Sequence, residues 1–372
     1  MIQPVSRRGA ALLVTLVFAT LLGWLSLALH HVSLGAHRRS AARRDVVVAT
    51  AGATAGLWGV LRDARVHAFD TLHVGDPPVV VRRAAGSALV EVRAVRISPV
   101  TWQLAATAWF PDTVLARRTV RQATMVVRQD LPDIGGLAAL TVRDAVGVVG
   151  SGEVIGTDTT TSPLLAGCLP GTGVAGIAMP DTLRRTGTGR IVGVPPLIED
   201  ATAGTMAPYD GYGSESWGTL AARAQLRLAG GAVITPGPVT AFAACDTTVV
   251  SNWGEPSGTG PCARHAPLIL ARGSVELRGG RGQGMLLVDG DLTVSGGARF
   301  DGIVIVRDDV RTGPGGGVLR GAVLAADTAA APGDHPEVGD GLRVERAGCL
   351  VVGVLSRQAR WRPVHGRAWL PM

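Results

Sequence analysis

Residues 10–29, AALLVTLVFATLLGWLSLAL, form twenty consecutive positions interrupted only by Thr15, Thr20, Gly23 and Ser26. Nothing else in the chain restricts its fold so strongly. Coiled as a helix at about 1.5 Å per residue, the run is roughly 30 Å long, the depth of one bilayer core. The apolar part of a secretory signal is usually about 7–15 residues, so this one is long for a segment that is cut away. Small residues at Ser33–Ala36 nevertheless offer a signal-peptidase position. Removed signal, plain anchor and assembly element are therefore three distinct readings of the same stretch.

No proline occurs between Pro4 and Pro77, so the apolar run can continue as helix to about Phe69. Val46, Ala49, Ala53, Leu57, Val60, Leu61 and Ala64 recur at helical spacing. Gly35, Gly52 and Gly56 weaken such a helix without forbidding it. Charge follows the same geography. The net charge is +7, every one of the 36 basic residues is arginine, and residues 1–44 hold six arginines and no acid. The remainder is thus nearly neutral, at +1. Positive charge that flanks an apolar span suits a membrane surface. No basic stripe with interleaved aromatics is present, so nucleic acid is not an expected partner.

With its arginines, the stretch RRGAALLVTLVFATLLGWLSLAL resembles the N-terminus of type IV pilin-like proteins, particularly PilX-type minor pilins and K-type minor pseudopilins. The resemblance covers about thirty residues. It implies a leader, residues 1–9, whose charge is carried by Arg7 and Arg8. It implies cleavage by a prepilin peptidase after Gly9 and methylation of the new N-terminus at Ala10. The implied partners are other pilins or pseudopilins, an inner-membrane assembly platform, the peptidase and the lipid bilayer. The implied location is the inner membrane with an exported C-terminal body, then a periplasmic or cell-surface filament. Major pilins carry Phe at the first mature position and Glu at the fifth, whereas this chain has Ala10 and Val14. The ion pair attributed to that Glu is therefore not available, which suits a subunit at a tip or outside a repeating lattice. Four arginines follow the span and two precede it, which by the positive-inside rule places the body in the cytoplasm. The resemblance and the cysteines place it outside.

From Pro77 the apolar period changes to two, and four strands with an imperfect alternation follow over residues 77–130, an antiparallel meander with one wet face. A long helix followed by a meander is the pilin-like α+β arrangement, with Trp58, Trp102 and Trp109 as expected core residues. Residues 131–372 read as mainly β. Within them, residues 268–327 repeat, with units opening at Leu268, Met285, Ile303 and Ala322 and closing on Gly284, Gly302 and Gly321. A strand-turn-strand unit of this size cannot bury its apolar face alone, whereas a stack can, so a short β-solenoid is expected. Residues 140–156 share the texture of the repeat and read as a further rung. Residues 157–230 read as an insertion that decorates the repeats, with a short helix directing Trp217, Leu220 and Leu226 inward.

Four cysteines at an exported location suggest two disulfides, and three connectivities exist. Cys245–Cys262 is preferred because it closes a Gly- and Pro-rich loop, which leaves Cys168–Cys349. Four buried free thiols are the alternative. The match of GTGVAG at 171–176 to a dinucleotide fingerprint sits in a loop and is read as chance. Asp289, Asp291, Asp301, Asp308 and Asp309 fall at turns of the repeat. They read as turn structure, with calcium binding and carboxylate catalysis as lesser alternatives. No catalytic set, cofactor or metal site is expected. The expected function is a non-enzymatic minor pilin or pseudopilin-like subunit that serves filament initiation, tip formation or adhesion. The alternative is a secreted or anchored β-helical protein that binds or cleaves polysaccharide.

Overall fold

A single helix, α1 (Arg7–Arg62), carries the apolar run and continues well beyond it. The computed structural model describes residues 7–62, 72, 74–98, 100–112, 117–134, 138–158, 164, 168, 171–256, 258–328, 335–364 and 370–371. It divides the chain into two units, 1–128 with 363–372, and 129–362. Helical conformation begins three residues before the expected start at Ala10, because Arg7 and Arg8 are good helix formers. The expected continuation over 63–69 lies outside the described residues.

In the first unit the two halves of α1 have different surroundings. Leu13, Phe18, Trp24 and Leu29 are each more than half exposed, whereas Ala49, Ala53, Leu57 and Val60 are buried. The buried stripe packs on an antiparallel meander of β1 (Val79–Ala85), β2 (Ala88–Ser98), β3 (Thr101–Asp112) and β4 (Arg117–Asp130). Strict alternation places Val90, Val92 and Ala94 of β2 and Leu104, Ala106 and Ala108 of β3 on the helix side. The helix approaches through Gly52 and Gly56. A Cβ at Gly56 would lie 2.5 Å from Val90 Cγ1, and one at Gly52 would lie 2.8 Å from the Cβ of Ala88. The glycines that weaken the helix in isolation are thus the ones that allow its backbone to reach the sheet. The outer edge of β4 is paired as well. Val364 N–H donates to the Val126 carbonyl, and Leu370 and Pro371 lie opposite Thr124 and Ala123.

Two of the three expected core tryptophans are elsewhere. Trp102 is buried, but Trp109 is only half-buried on the opposite face of β3, since residues seven apart on a strand point to opposite sides. Trp58 follows Leu57 by one helical step and so leaves the buried stripe, remaining exposed.

The second unit is dominated by parallel pairing. Leu268–Arg272, Arg281–Val288, Ala298–Val306 and Gly317–Ala325 lie side by side, and Leu342–Arg346 adds to the last of them. Leu268, Met285, Ile303 and Ala322, the residues that open the sequence repeat, are register partners across this ladder. A second parallel ladder joins Ala232–Ile234, Val275–Arg278, Leu292–Ser295 and Val310–Thr312. Leu286, Val304 and Val323 on one face of the first ladder enclose a core with Leu277, Val294 and Val310 from the second. Trp253 and Phe300 meet edge to face in that core at 5.9 Å. On the other face, Met285, Leu287, Ile303, Ile305 and Leu324 are covered by Tyr209, Leu220 and helix Gly348–Gln358. Burial on both faces accounts for the unbroken apolar runs of these strands.

The described residues of 157–230 do not all remain outside the ladders as a decoration. Leu226–Ala229 pairs in parallel with Leu268–Arg272, and Arg190–Val192 pairs with Glu153–Ile155. Leu226, Leu228 and Ile177 bury side chains in the same core as the repeats, which makes the segment part of the stack. Trp217 and Leu220 are buried from helix Trp217–Arg223, whereas Leu226, expected on the same helix, lies beyond its end and is buried from a strand.

Three successive strands of the first ladder carry a glycine at the same register. Gly284, Gly302 and Gly321 are register partners with φ of 131°, 153° and 135°. A Cβ at Gly302 would overlap the Gly284 carbonyl, and one at Gly321 would overlap that of Gly302. Gly302→Ala is expected to destabilise the second unit by about 3 kcal/mol, combining backbone strain with overlap. Gly297→Asn, at φ 71° with open space around it, is expected to be near neutral. Thermal unfolding of the two variants in the full chain checks the contrast.

Candidate functional site

The processing junction expected from the sequence lies at the very start of α1. Arg7 and Arg8 open the helix and the Gly9–Ala10 bond sits in its first turn. From Leu13 the helix offers an apolar surface with no protein packed on it, and an 18-residue window there has a mean hydropathy of 1.9 and no burial. By length and composition it is able to cross a bilayer or to serve as a signal.

The cysteines pair as Cys245–Cys262 and Cys168–Cys349. The shorter link is not the only brace of its loop. Asn252, fully buried, donates from Nδ2 to the carbonyls of Val239 (2.9 Å) and Asp246 (2.6 Å), and its Oδ1 accepts from Gly254 N–H. Gln283 Nε2 donates to the Ala263 and His265 carbonyls, tying the loop to the parallel ladder. His265 Nε2 donates to the Asn252 carbonyl at 3.2 Å, and burial holds this imidazole below its usual pKa despite that hydrogen bond. Asn252 and Gln283 carry no sequence motif; only their buried positions reveal them.

The five aspartates of the repeat each engage a protein group, although Asp301 lies inside strand Ala298–Val306 and not at a turn as expected. Asp289 faces Arg307 and Asp309 faces Arg311. Asp291 accepts from Asp309 N–H, and Asp308 accepts from the Thr328 hydroxyl. Asp301 receives both arms of Arg299 at 2.9 Å and Arg320 at 3.3 Å. The last pair belongs to a charged row, Gln283–Asp301–Arg320–Glu345, that crosses the ladder at matching register. Among the described residues, no three His, Cys, Asp or Glu side chains converge as a metal site. GTGVAG leads into strand Ala175–Met179 and does not open a helix, as a dinucleotide-binding turn requires.

A cavity of about 600 Å³ lies on the face of the first unit's sheet that points away from α1. Its position follows from the register. One outward row runs Arg82–Glu91–Thr107–Gln122, and the next runs Val80–Arg93–Ala105–Thr124. Small side chains in the middle, Ala105, Thr107 and Thr124, leave a depression between the long ones. Arg82 and Arg93 stand on one side, each bonded at 3.0 Å to Glu91, while Trp109 and Gln122 contribute to the rest of the lining. The Arg82 guanidinium, and then that of Arg93, hold the Glu91 carboxyl below the usual carboxylate range. The ionised Glu91 in turn fixes both guanidinium groups, leaving one net positive charge on the trio. Sequence reasoning did not single out these residues, because alternation marks the outward positions of each strand but not which of them meet across strands.

No protein-family model matches this chain, and no curated protein matches it. A solved structure with a detectable likeness is the competence-associated pilin ComZ from Thermus thermophilus, 11% identical, with 81% of this chain and 86% of that chain covered and a TM-score of 0.15. At that score the two folds do not superpose.

Burial of His265 produces a pH dependence with a definite sign. Its folded pKa is lowered, so between that value and the unfolded value of about 6.5 the unfolded chain binds more protons. The stabilisation is complete above about pH 6.5 and is lost as the pH falls through the folded value. Unfolding curves measured from pH 7.5 to 5 are expected to show this decline, and His265→Gln is expected to flatten it.

Proposed function

We propose that the chain is a membrane-anchored, non-enzymatic subunit of a type IV pilus-like or type II secretion-like filament, of the minor pilin or pseudopilin kind. One observation carries this reading. A single helix is bare and apolar over its first half, and over its second half it is packed through Gly52 and Gly56 onto an antiparallel sheet. Such an element can rest in a bilayer and then move laterally into a bundle of similar helices without exposing apolar surface to water. The leader-like RRG before the run and Val14 at the fifth mature position support the PilX-type and K-type assignment over a major pilin.

The second unit is read as a short β-solenoid body, supported by parallel registers that repeat every 17 to 19 residues and by glycines of positive φ at one shared register. Two disulfides favour an exported location for that body. Engagement of the turn aspartates by arginine, hydroxyl and backbone groups favours a structural role for them over catalysis.

Mass spectrometry of the native N-terminus, with and without a prepilin peptidase, tests the reading. The expected product begins at N-methylated Ala10 and is lost without the peptidase. An N-terminus near residues 34–38 would instead identify a removed signal peptide and overturn the assembly role. An uncut Met1 in peptidase-positive cells would do the same, leaving a plain anchor.

A further inference from the structure

We propose that the cavity on the outward face of the first unit's sheet is a binding site for an acidic sugar unit, a carboxylate-bearing ring of a polyanionic glycan. The assignment goes beyond the filament reading and does not depend on it, because all the lining residues belong to one unit.

The volume, about 600 Å³, falls within the range of about 300–1,000 Å³ usual for small-ligand sites. The lining is mixed, which suits a ligand with both hydroxyls and an apolar ring face. Arg82 and Arg93 supply charge. Arg82 uses its Nε on Glu91, and Arg93 uses its Nε and one terminal nitrogen on the same carboxylate. A guanidinium has five N–H donors, so further donors on both forks remain to meet a second carboxylate. Glu91 holds the forks in place, so ordering them costs the ligand little. Its single negative charge does not cancel the two positive ones, and the trio favours an anion over a neutral sugar.

The rest of the lining accounts for a ring in place of a bare anion. Trp109 lines the cavity beside Thr107 and belongs to the neighbouring outward row. An indole gives a flat apolar body to one face of a sugar ring. Thr107, Thr124 and Gln122 offer hydroxyl and amide groups, which both donate and accept and so match ring hydroxyls. Ala105 gives the floor its depth. Ala105 points outward into the cavity, and its neighbour Ala106, which also borders it, is buried on the helix side of the strand.

The test is calorimetric titration of the full chain, in detergent micelles, with trigalacturonate and with its methyl ester, which keeps the rings and removes the charge. The expected result is that the acid binds at least roughly tenfold more tightly than the ester, the ratio for one lost charge-assisted contact. Raising the salt should weaken the acid selectively. Arg93→Gln should reduce the preference for the acid, and Ala105→Tyr should abolish binding of both probes with unfolding temperature unchanged. Equal affinity for acid and ester, no binding by the folded protein, or binding that survives Ala105→Tyr would each overturn the assignment. Competition by acetate as effective as that by the trisaccharide would also overturn it, since the site would then be an anion pocket with no sugar platform.

Discussion

The close approach of α1 to its sheet is the contact on which the first unit depends. Helices usually stand off a sheet by the length of their side chains, but here Gly52 and Gly56 present bare backbone to Ala88 and Val90. Each glycine costs a helix interior about 1 kcal/mol relative to alanine. Burial of Ala49, Ala53, Leu57 and Val60 around them offsets that loss, since fully burying a leucine or valine contributes about 1.5–3 kcal/mol. The same arrangement leaves the apolar window that begins at Leu13 without burial, so a single element carries both an uncovered apolar surface and a packed one.

In the second unit the equivalent constraint is backbone stacking. A parallel ladder whose strands share a left-handed glycine at one register has to place each of those backbones directly against the preceding one. At Gly284, Gly302 and Gly321 the space beside the neighbouring backbone is smaller than a methyl group. Stacking also aligns like positions, so charges must alternate along a row to avoid repulsion. Arg320 between Asp301 and Glu345, and Glu153 between Arg343 and Arg190, meet that requirement. Several of these pairs are half-exposed and contribute little stability individually. They set the register more than the depth of the energy well.

Much of this was legible because it is periodic. The 3.6-residue period of α1, the two-residue period of the meander and the 17-to-19-residue spacing of the repeats each reflect a geometry that recurs along the chain. The residues at which the repeat opens are the ones that pair. Non-periodic features did not announce themselves. Leu226 was assigned to the same short helix as Trp217 and Leu220, but that helix stops at Arg223 and Leu226–Ala229 joins the ladder as a strand, because four residues are too few to show a period of their own. Trp58 and Trp109 were grouped with the core on composition, although one helical step and strand parity set them outside it. The outward cavity was missed because no motif links Arg82, Glu91, Arg93 and Trp109, which lie on three different strands.

Local patterning alone therefore determined that a long apolar helix leads the chain, that an antiparallel meander follows it, and that a repeat of short strands occupies the C-terminal half. These are properties of hydrophobic spacing, which acts between near neighbours. Folding in three dimensions decided which distant strands pair, which faces of them are covered, and how small side chains at the centre of a sheet leave room beside long ones. Such outcomes depend on register between segments far apart in the chain, and a spacing pattern within one segment carries no information about its partner.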